Sequence, residues 1–182
     1  MKKSILLVIA ALLFMASPVM AKEGFYIGAF VPITSVDGDA GSVIDSGTGW
    51  GFRAGVRANR YFAVEASYGV TKNDVTGYSS ADLKGLAGDV KVNFPLTSLD
   101  SAQIMTVEPY LMAGYAHYEI NKPTKVKSNG FQWGFGVELY LFRELSINAG
   151  WTQTSVSWDT PTQSDAGGHI RTVDFGIMYH FI

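Results

Sequence analysis

The feature that most restricts this chain is a period of two. In residues 172–182, Val173, Phe175, Ile177, Tyr179 and Phe181 are apolar and share one parity, while Thr172, Asp174, Gly176 and His180 occupy the other, with Met178 among them. Successive side chains of a strand point to opposite faces, so this segment reads as a strand with one oily and one mixed face. Seven earlier stretches repeat the pattern, as in Trp50, Phe52, Ala54 and Val56 against Gly51, Arg53, Gly55 and Arg57, or Phe62, Val64, Ala66 and Tyr68 against Ala63, Glu65 and Ser67. The first, with Phe25, Ile27, Ala29, Val31 and Ile33 on its oily face, is weaker because Tyr26 and Phe30 sit opposite. The fourth ends at Pro95, and Pro109 within the fifth predicts a local bulge or an unpaired position.

Eight strands joined alternately by polar connections and short turns give an all-β, antiparallel, up-and-down transmembrane barrel. Residues 34–48, 71–82, 119–129 and 157–169 read as long polar loops on one side. Asn59-Arg60 and Phe142-Arg143-Glu144 read as tight turns on the other, with a connection of moderate length over residues 96–104. An even strand count returns both termini to the side of the short turns.

Residues 1–21 read as a secretory signal peptide. Lys2 and Lys3 precede an apolar run, Ser17 and Pro18 cut it short of the roughly 20 residues that a span needs, and Val19-Met20-Ala21 supplies the small-x-small cleavage pattern. The barrel domain is therefore expected over residues 22–182, exported and carried to the outer membrane of a Gram-negative cell envelope. The chain has no cysteine and hence no disulfides. Beyond the leader no apolar stretch is long enough for a membrane helix. Setting aside Lys2 and Lys3 leaves 12 basic against 16 acidic residues, a balance that does not suit nucleic acid.

Charge placement carries the functional reading. Arg53, Arg57, Glu65, Asp89, Lys91, Glu108, Glu138 and Asp174 all fall on the minor parity of their strands. Facing lipid, each Arg or Lys near the midplane would cost about 2–4 kcal/mol, so these residues are expected in the lumen, with the apolar parity on lipid. Eight strands enclose little space, and glycines and alanines line the same faces. Such charges should pair, because an unpaired buried charge is costly. Asp174 should meet Arg53, Arg57, Lys91 or water. A salt-bridge network plugging the barrel is the first reading, and a narrow gated ion or solute path through it is the second.

Aromatic residues gather at strand ends. Phe25, Phe62, Phe94, Tyr179 and Phe181 fall toward the side of the termini, and Trp50, Tyr68, Tyr115, Phe131 and Trp133 toward the other, as two interfacial girdles. The segments G-F-Y-I-G-A, E-P-Y-L-M-A-G-Y, G-F-G-V-E-L-Y-L and the terminal Y-H-F resemble the small eight-stranded outer membrane barrels of the OmpA-like membrane domain and porin family, across the whole chain after residue 21. That resemblance implies a barrel without the peptidoglycan-binding domain. It also implies that Tyr179 and Phe181 form the signal read by the barrel assembly machinery, although Ile182 follows the aromatic on which the family usually ends.

Other chemistry is thinly represented. Some barrels of this size modify lipids with Ser/His/acid sets, and His117, His169, Ser164 and Asp165 fall toward the outer side, but read as solvated loop residues without a rigid support. The His-x-Ser-Asn pattern of lipid A deacylases is absent from the sequence. Asp37, Asp39 and Asp45 lack the oxygen spacing of a calcium loop. Neither catalytic site, metal nor cofactor is implied. The partners expected are outer membrane lipids and lipopolysaccharide, the assembly machinery during biogenesis, and a surface ligand of unknown kind, and the role expected is structural or surface-interacting.

Overall fold

A computed structural model describes residues 23–38, 44–75, 78–96, 106–120, 126–160 and 163–181. The expected leader, residues 1–21, lies outside them. The elements are β1 (Gly24–Gly38), β2 (Ile44–Arg57), β3 (Phe62–Val75), β4 (Tyr78–Asn93), β5 (Thr106–Ile120), β6 (Val126–Tyr140), β7 (Leu145–Thr160) and β8 (Gln163–His180). Each strand pairs with its sequence neighbours, and β8 returns to β1 over Gly168–His180, closing an all-antiparallel barrel. The turn after β2 is set by Asn59, whose Oδ1 accepts from the amides of Tyr61 at 2.8 Å and Phe62 at 2.9 Å.

Pro109 makes no bulge. It stays in register opposite Val137, and its carbonyl accepts from Phe94 N at 2.8 Å just past the last β4–β5 pair, so its missing N–H faces a strand that is already ending. Pro32 has the larger effect. The β1–β2 ladder passes from Phe30–Gly51 to Ile33–Thr48 without the intervening pairs, as a residue lacking an N–H dictates.

The four expected long loops are mostly strand. β1 runs through Gly38, β3 to Val75, β5 to Ile120 and β7 to Thr160, and their partners begin at Ile44, Tyr78, Val126 and Gln163. Alternation continues through these segments with its polarity reversed. Val36, Ala81, Leu83, Ala116, Tyr118, Ile120, Val156 and Ile170 point inward as one apolar cluster, while Lys72, Asp82, Ser155, Ser157 and Arg171 point outward. Lower down, the outward faces carry Phe25, Phe52, Leu111, Phe135 and Ile177, each at least half exposed. A barrel whose outside is apolar in its lower part and polar above, with the inside reversed, has a lipid-facing band beneath a water-facing collar. Register shifts between Ile44 and Gly47, Asn73 and Val75, and Trp158 and Thr160 are confined to the tips of that collar.

One row of cross-strand partners shows how tightly the barrel is wound. Ile27 pairs with Ala54, then Ala66, Gly88, Tyr115, Phe131, Ser155 and His169, and His169 pairs with Asp37. The row returns to β1 ten residues above its start, a stagger that tilts the strands by roughly 40° and leaves an interior that side chains can fill. Glycines provide the sockets. A Cβ on Gly55 would collide with the ring of Tyr26, and one on Gly136 with the hydroxyl of Tyr110. A Cβ on Gly88, which faces outward, meets no atom within 4 Å. Gly136→Val should therefore destabilise the barrel by about 1–3 kcal/mol through overpacking, whereas Gly88→Ala should lie within about 0.5 kcal/mol of the parent. Urea unfolding of the purified protein in vesicles measures both.

Candidate functional site

The inward positions assemble the site in tiers. Arg53 and Arg57 lie four residues apart on one face of β2, which separates their guanidinium groups along the barrel axis. In the lower tier, nearest the termini, Arg57 Nη1 donates to Glu108 Oε2 at 2.7 Å and Nη2 to Glu138 Oε2 at 3.5 Å, with the guanidinium 5.6 Å from the Tyr140 ring centre. Glu138 Oε1 accepts from Ser146 Oγ at 2.8 Å and lies 3.0 Å from His180 Nε2.

The middle tier is centred on Glu65. Its Oε2 accepts from the Tyr26 hydroxyl at 2.9 Å and from Lys91 Nζ at 3.3 Å, and its Oε1 lies 3.6 Å from Arg53 Nη1. The Lys91 ammonium also sits 4.2 Å from the Tyr110 ring centre. Only 2% of Lys91 is exposed, so ring and carboxylate take the place of its hydration. Above, Arg53 Nη2 donates to Asp174 Oδ1, which also accepts from Asn148 Nδ2 at 3.0 Å, and the guanidinium stacks 4.3 Å from the Phe30 ring centre.

All eight charged residues singled out by parity are thus buried around the barrel axis, and seven of them enter ion pairs. Asp89 departs from the pairing expected of it. No ion pair joins it to a described residue; both of its oxygens accept from Gln132 Nε2, at 3.1 and 3.0 Å. Gln132 Oε1 accepts in turn from Thr154 Oγ1 at 3.1 Å, and Thr154 Oγ1 lies 3.3 Å from the Tyr118 hydroxyl. The reason is geometric: Arg53 and Lys91 already converge on Glu65 and Asp174, leaving an amide on β6 as the nearest donor to β4.

Parity had placed Tyr26, Tyr110, Ser146, Asn148 and Gln132 inward, yet the charges overshadowed their part in the network. His180 shared that parity in the most regular strand. With Ser146 Oγ 2.9 Å and Glu138 Oε1 3.0 Å from the same ring atom, Nε2, it does not build a nucleophile–base–acid relay, in which the acid must hold the other ring nitrogen. All three side chains are also closed to solvent.

His117 and His169 are not loop residues: they stand outward on β5 and β8, beside Asn129 Oδ1 at 2.6 Å and Ser155 Oγ at 3.3 Å. The side chains of Ser164 and Asp165 lie outside the described residues. Asp37 is bound to Arg171 at 2.8 Å, Asp45 is exposed, and Asp39 lies outside the described residues. Among the described residues no group of three His, Cys, Asp or Glu side chains could hold a metal ion.

The ten aromatic residues assigned to girdles are all exposed on the outer wall, Phe25, Phe62, Phe94, Tyr179 and Phe181 around the end of the termini and Trp50, Tyr68, Tyr115, Phe131 and Trp133 below the collar. Tyr61 and Phe142, in the short turns, extend the lower ring, and Trp151 packs edge-on against Trp133 at 5.1 Å. Ile182 lies outside the described residues.

Residues 6–181 match the family model described as "Outer membrane protein beta-barrel domain". No curated protein matches the chain. Among solved structures, the chain is similar to neisserial surface protein A from Neisseria (16% identity, 87% of this chain and 97% of that one, TM-score 0.60). It is also similar to the attachment invasion locus protein Ail of Yersinia pestis (15% identity, 87% and 99%, TM-score 0.56) and to OprG of Pseudomonas aeruginosa (18% identity, 88% and 97%, TM-score 0.53). At these identities the likeness is one of fold.

Removing a buried charge should be far costlier than removing a surface one. Arg53→Ala, which strips Asp174 of its cation and Glu65 of one, should cost about 3–5 kcal/mol. Arg171→Ala breaks only the exposed pair with Asp37 and should cost less than about 1 kcal/mol. Unfolding midpoints in vesicles compare the two directly.

Proposed function

The chain belongs to the outer membrane protein β-barrel domain family, and from that premise we propose that it is a sealed, non-catalytic barrel of the outer membrane whose work is done at its outer surface. The observation that supports this reading is that the lumen is closed twice in series. The lower closure is two tiers of ion pairs, Arg57 with Glu108 and Glu138 below and Lys91, Glu65, Arg53 and Asp174 above. The upper closure is the apolar cluster of the collar, where Leu83, Tyr118, Ile120, Val156 and Ile170 meet across the barrel. Between them remains a cavity of about 70 Å³ lined by Phe30, Arg53, Glu65, Tyr118, Gln132 and Asp174.

An ion crossing this barrel would break buried ion pairs and then pass an apolar constriction that offers no replacement for its hydration shell. Catalysis finds no better footing in the lumen, since the Ser146–His180–Glu138 cluster is sealed from substrate and shares a single ring nitrogen. What remains accessible is the collar, whose outward positions carry Asp74, Asp82, Lys127 and Ser157 on rigid strands. Functional residues commonly sit on such positions, held by a rigid scaffold.

Planar-bilayer recording tests the reading. Purified protein is expected to insert without unitary current steps. Stable, reproducible conductance events from the parent protein would overturn the sealed barrel in favour of a narrow passive channel.

A further inference from the structure

The collar has a weak seam between β1 and β2. Past the interruption at Pro32, only the pairs Ile33–Thr48 and Thr34–Gly47 join the two strands among the described residues, although β1 runs on to Gly38 and β2 begins at Ile44. On their other edges both strands stay paired to the top, β1 with β8 through Gly38–Gly168 and β2 with β3 through Ile44–Val75. Two well-laddered parts of the wall therefore meet along an edge with few rungs of its own.

A side chain stands in for the missing rungs. Asn73 of β3, only 1% exposed, donates from Nδ2 to the Asp45 carbonyl of β2 at 2.9 Å and to the Thr34 carbonyl of β1 at 3.5 Å. Its Oδ1 accepts from Thr71 Oγ1 at 2.8 Å, which fixes the direction of the amide. Gly47 leaves room for it, since a Cβ there would stand 2.5 Å from Asn73 Cγ and Oδ1. On the outside of the seam Asp45, Ser46 and Thr48 are exposed above Trp50 of the upper girdle, so the seam faces water. On the inside Pro32, Thr34 and Thr71 line the cavity of about 70 Å³, together with Thr172, Arg53 and Asp174. The three threonines are not part of the apolar cluster that closes the collar.

We infer that Asn73 is the latch of a side entrance: the β1–β2 seam parts in the folded barrel and admits water and other small uncharged polar molecules from the outer medium to the cavity between the two closures. Parting breaks two ladder pairs and the two bonds of one amide. An axial route must instead separate Leu83, Tyr118, Val156 and Ile170 from one another. Local opening starts where backbone bonds and buried apolar contacts are fewest. The hydroxyls of Thr34, Thr71 and Thr172 offer hydrogen bonds to an uncharged guest, whereas an ion would give up its hydration for them. The inference rests on the collar standing in water. The ion-pair tiers below stay closed when the seam parts, so entry and conductance are measured separately.

A thiol in the cavity tests it. Ser67 lines the cavity and the chain has no native cysteine, so the reaction of Ser67→Cys with methyl methanethiosulfonate in vesicles, followed by mass, reads entry. Adding Asn73→Ala should raise the rate roughly tenfold, because it removes two hydrogen bonds of ordinary strength. Adding Val156→Ala, which loosens the apolar cluster on the axial route, should leave the rate unchanged. In the parent protein, amides of the Ile33–Thr48 and Thr34–Gly47 pairs should exchange with deuterium sooner than those of Trp151–Val173 and Thr152–Thr172, which stand in the same rows of the wall.

Equal thiol reactivity with and without Asn73→Ala would overturn the inference. So would a rate raised as much by Val156→Ala, which would put entry along the axis, or equal exchange across both sets of pairs. Heat-modifiable gel migration confirms folding of each variant, and the exchange measurement on the parent protein keeps the test decisive if Asn73→Ala fails to fold.

Discussion

The pairing of β8 with β1 is the interaction on which everything else in this molecule depends. Within a hydrocarbon layer no water is available to satisfy backbone N–H and C=O groups, so a sheet that enters it must have no free edge. Gly168 through His180 supply that closure against β1 in a register without interruption. The same register fixes the ten-residue stagger, the stagger fixes the tilt, and the tilt fixes how much space the interior offers. A seven-stranded remnant lacking this strand would expose two edges, and the charged interior would lose Asp174 and His180 along with it.

A narrow interior then decides what the lumen can contain. Long side chains reach across it, so Arg57 on β2 meets Glu108 on β5, and Tyr26 on β1 meets Glu65 on β3. Glycine at Gly55 and Gly136 is required because tyrosine rings occupy the same volume. Buried ion pairs of this kind add little net stability over an apolar filling, since desolvation offsets most of the attraction. Their value lies in register: once Arg53 is committed to Glu65 and Asp174, a strand slipped by one residue would turn these charges toward lipid. The collar has no such need, because water lies outside it, and there the interior reverts to the apolar packing of a soluble barrel.

Much of this was legible from parity alone. The outward set from Phe25 to Phe181, the inward charges and the number of strands follow from a period of two that persists through eight segments. Partner choice was not legible, because Arg53 and Asp174 lie 121 residues apart and their meeting depends on a stagger that no local pattern encodes. Asp89 shows the limit most clearly, for its amide partner Gln132 is distinguished in sequence only by facing inward. The strand ends were misread as loops because polar residues dominate them. The usable signal was the reversal itself: around Ser155-Val156-Ser157 and Ile170-Arg171 alternation continues with the apolar residue on the other parity, which marks the passage from lipid to water.

The central claim is that one parity of each strand faces lipid below the collar and that the polarity reverses above it. The absence of native cysteine allows a direct measurement, in which single cysteines along β8 carry a fluorescent label in vesicles and are quenched from either phase. Labels at Val173, Phe175 and Ile177 are expected to be quenched by lipid-borne quenchers and not by aqueous iodide, a label at Arg171 by iodide, and cysteines at Ile170 and Met178 to resist labelling in the folded barrel. Equal lipid quenching at both parities, or iodide quenching at Phe175, would contradict the account.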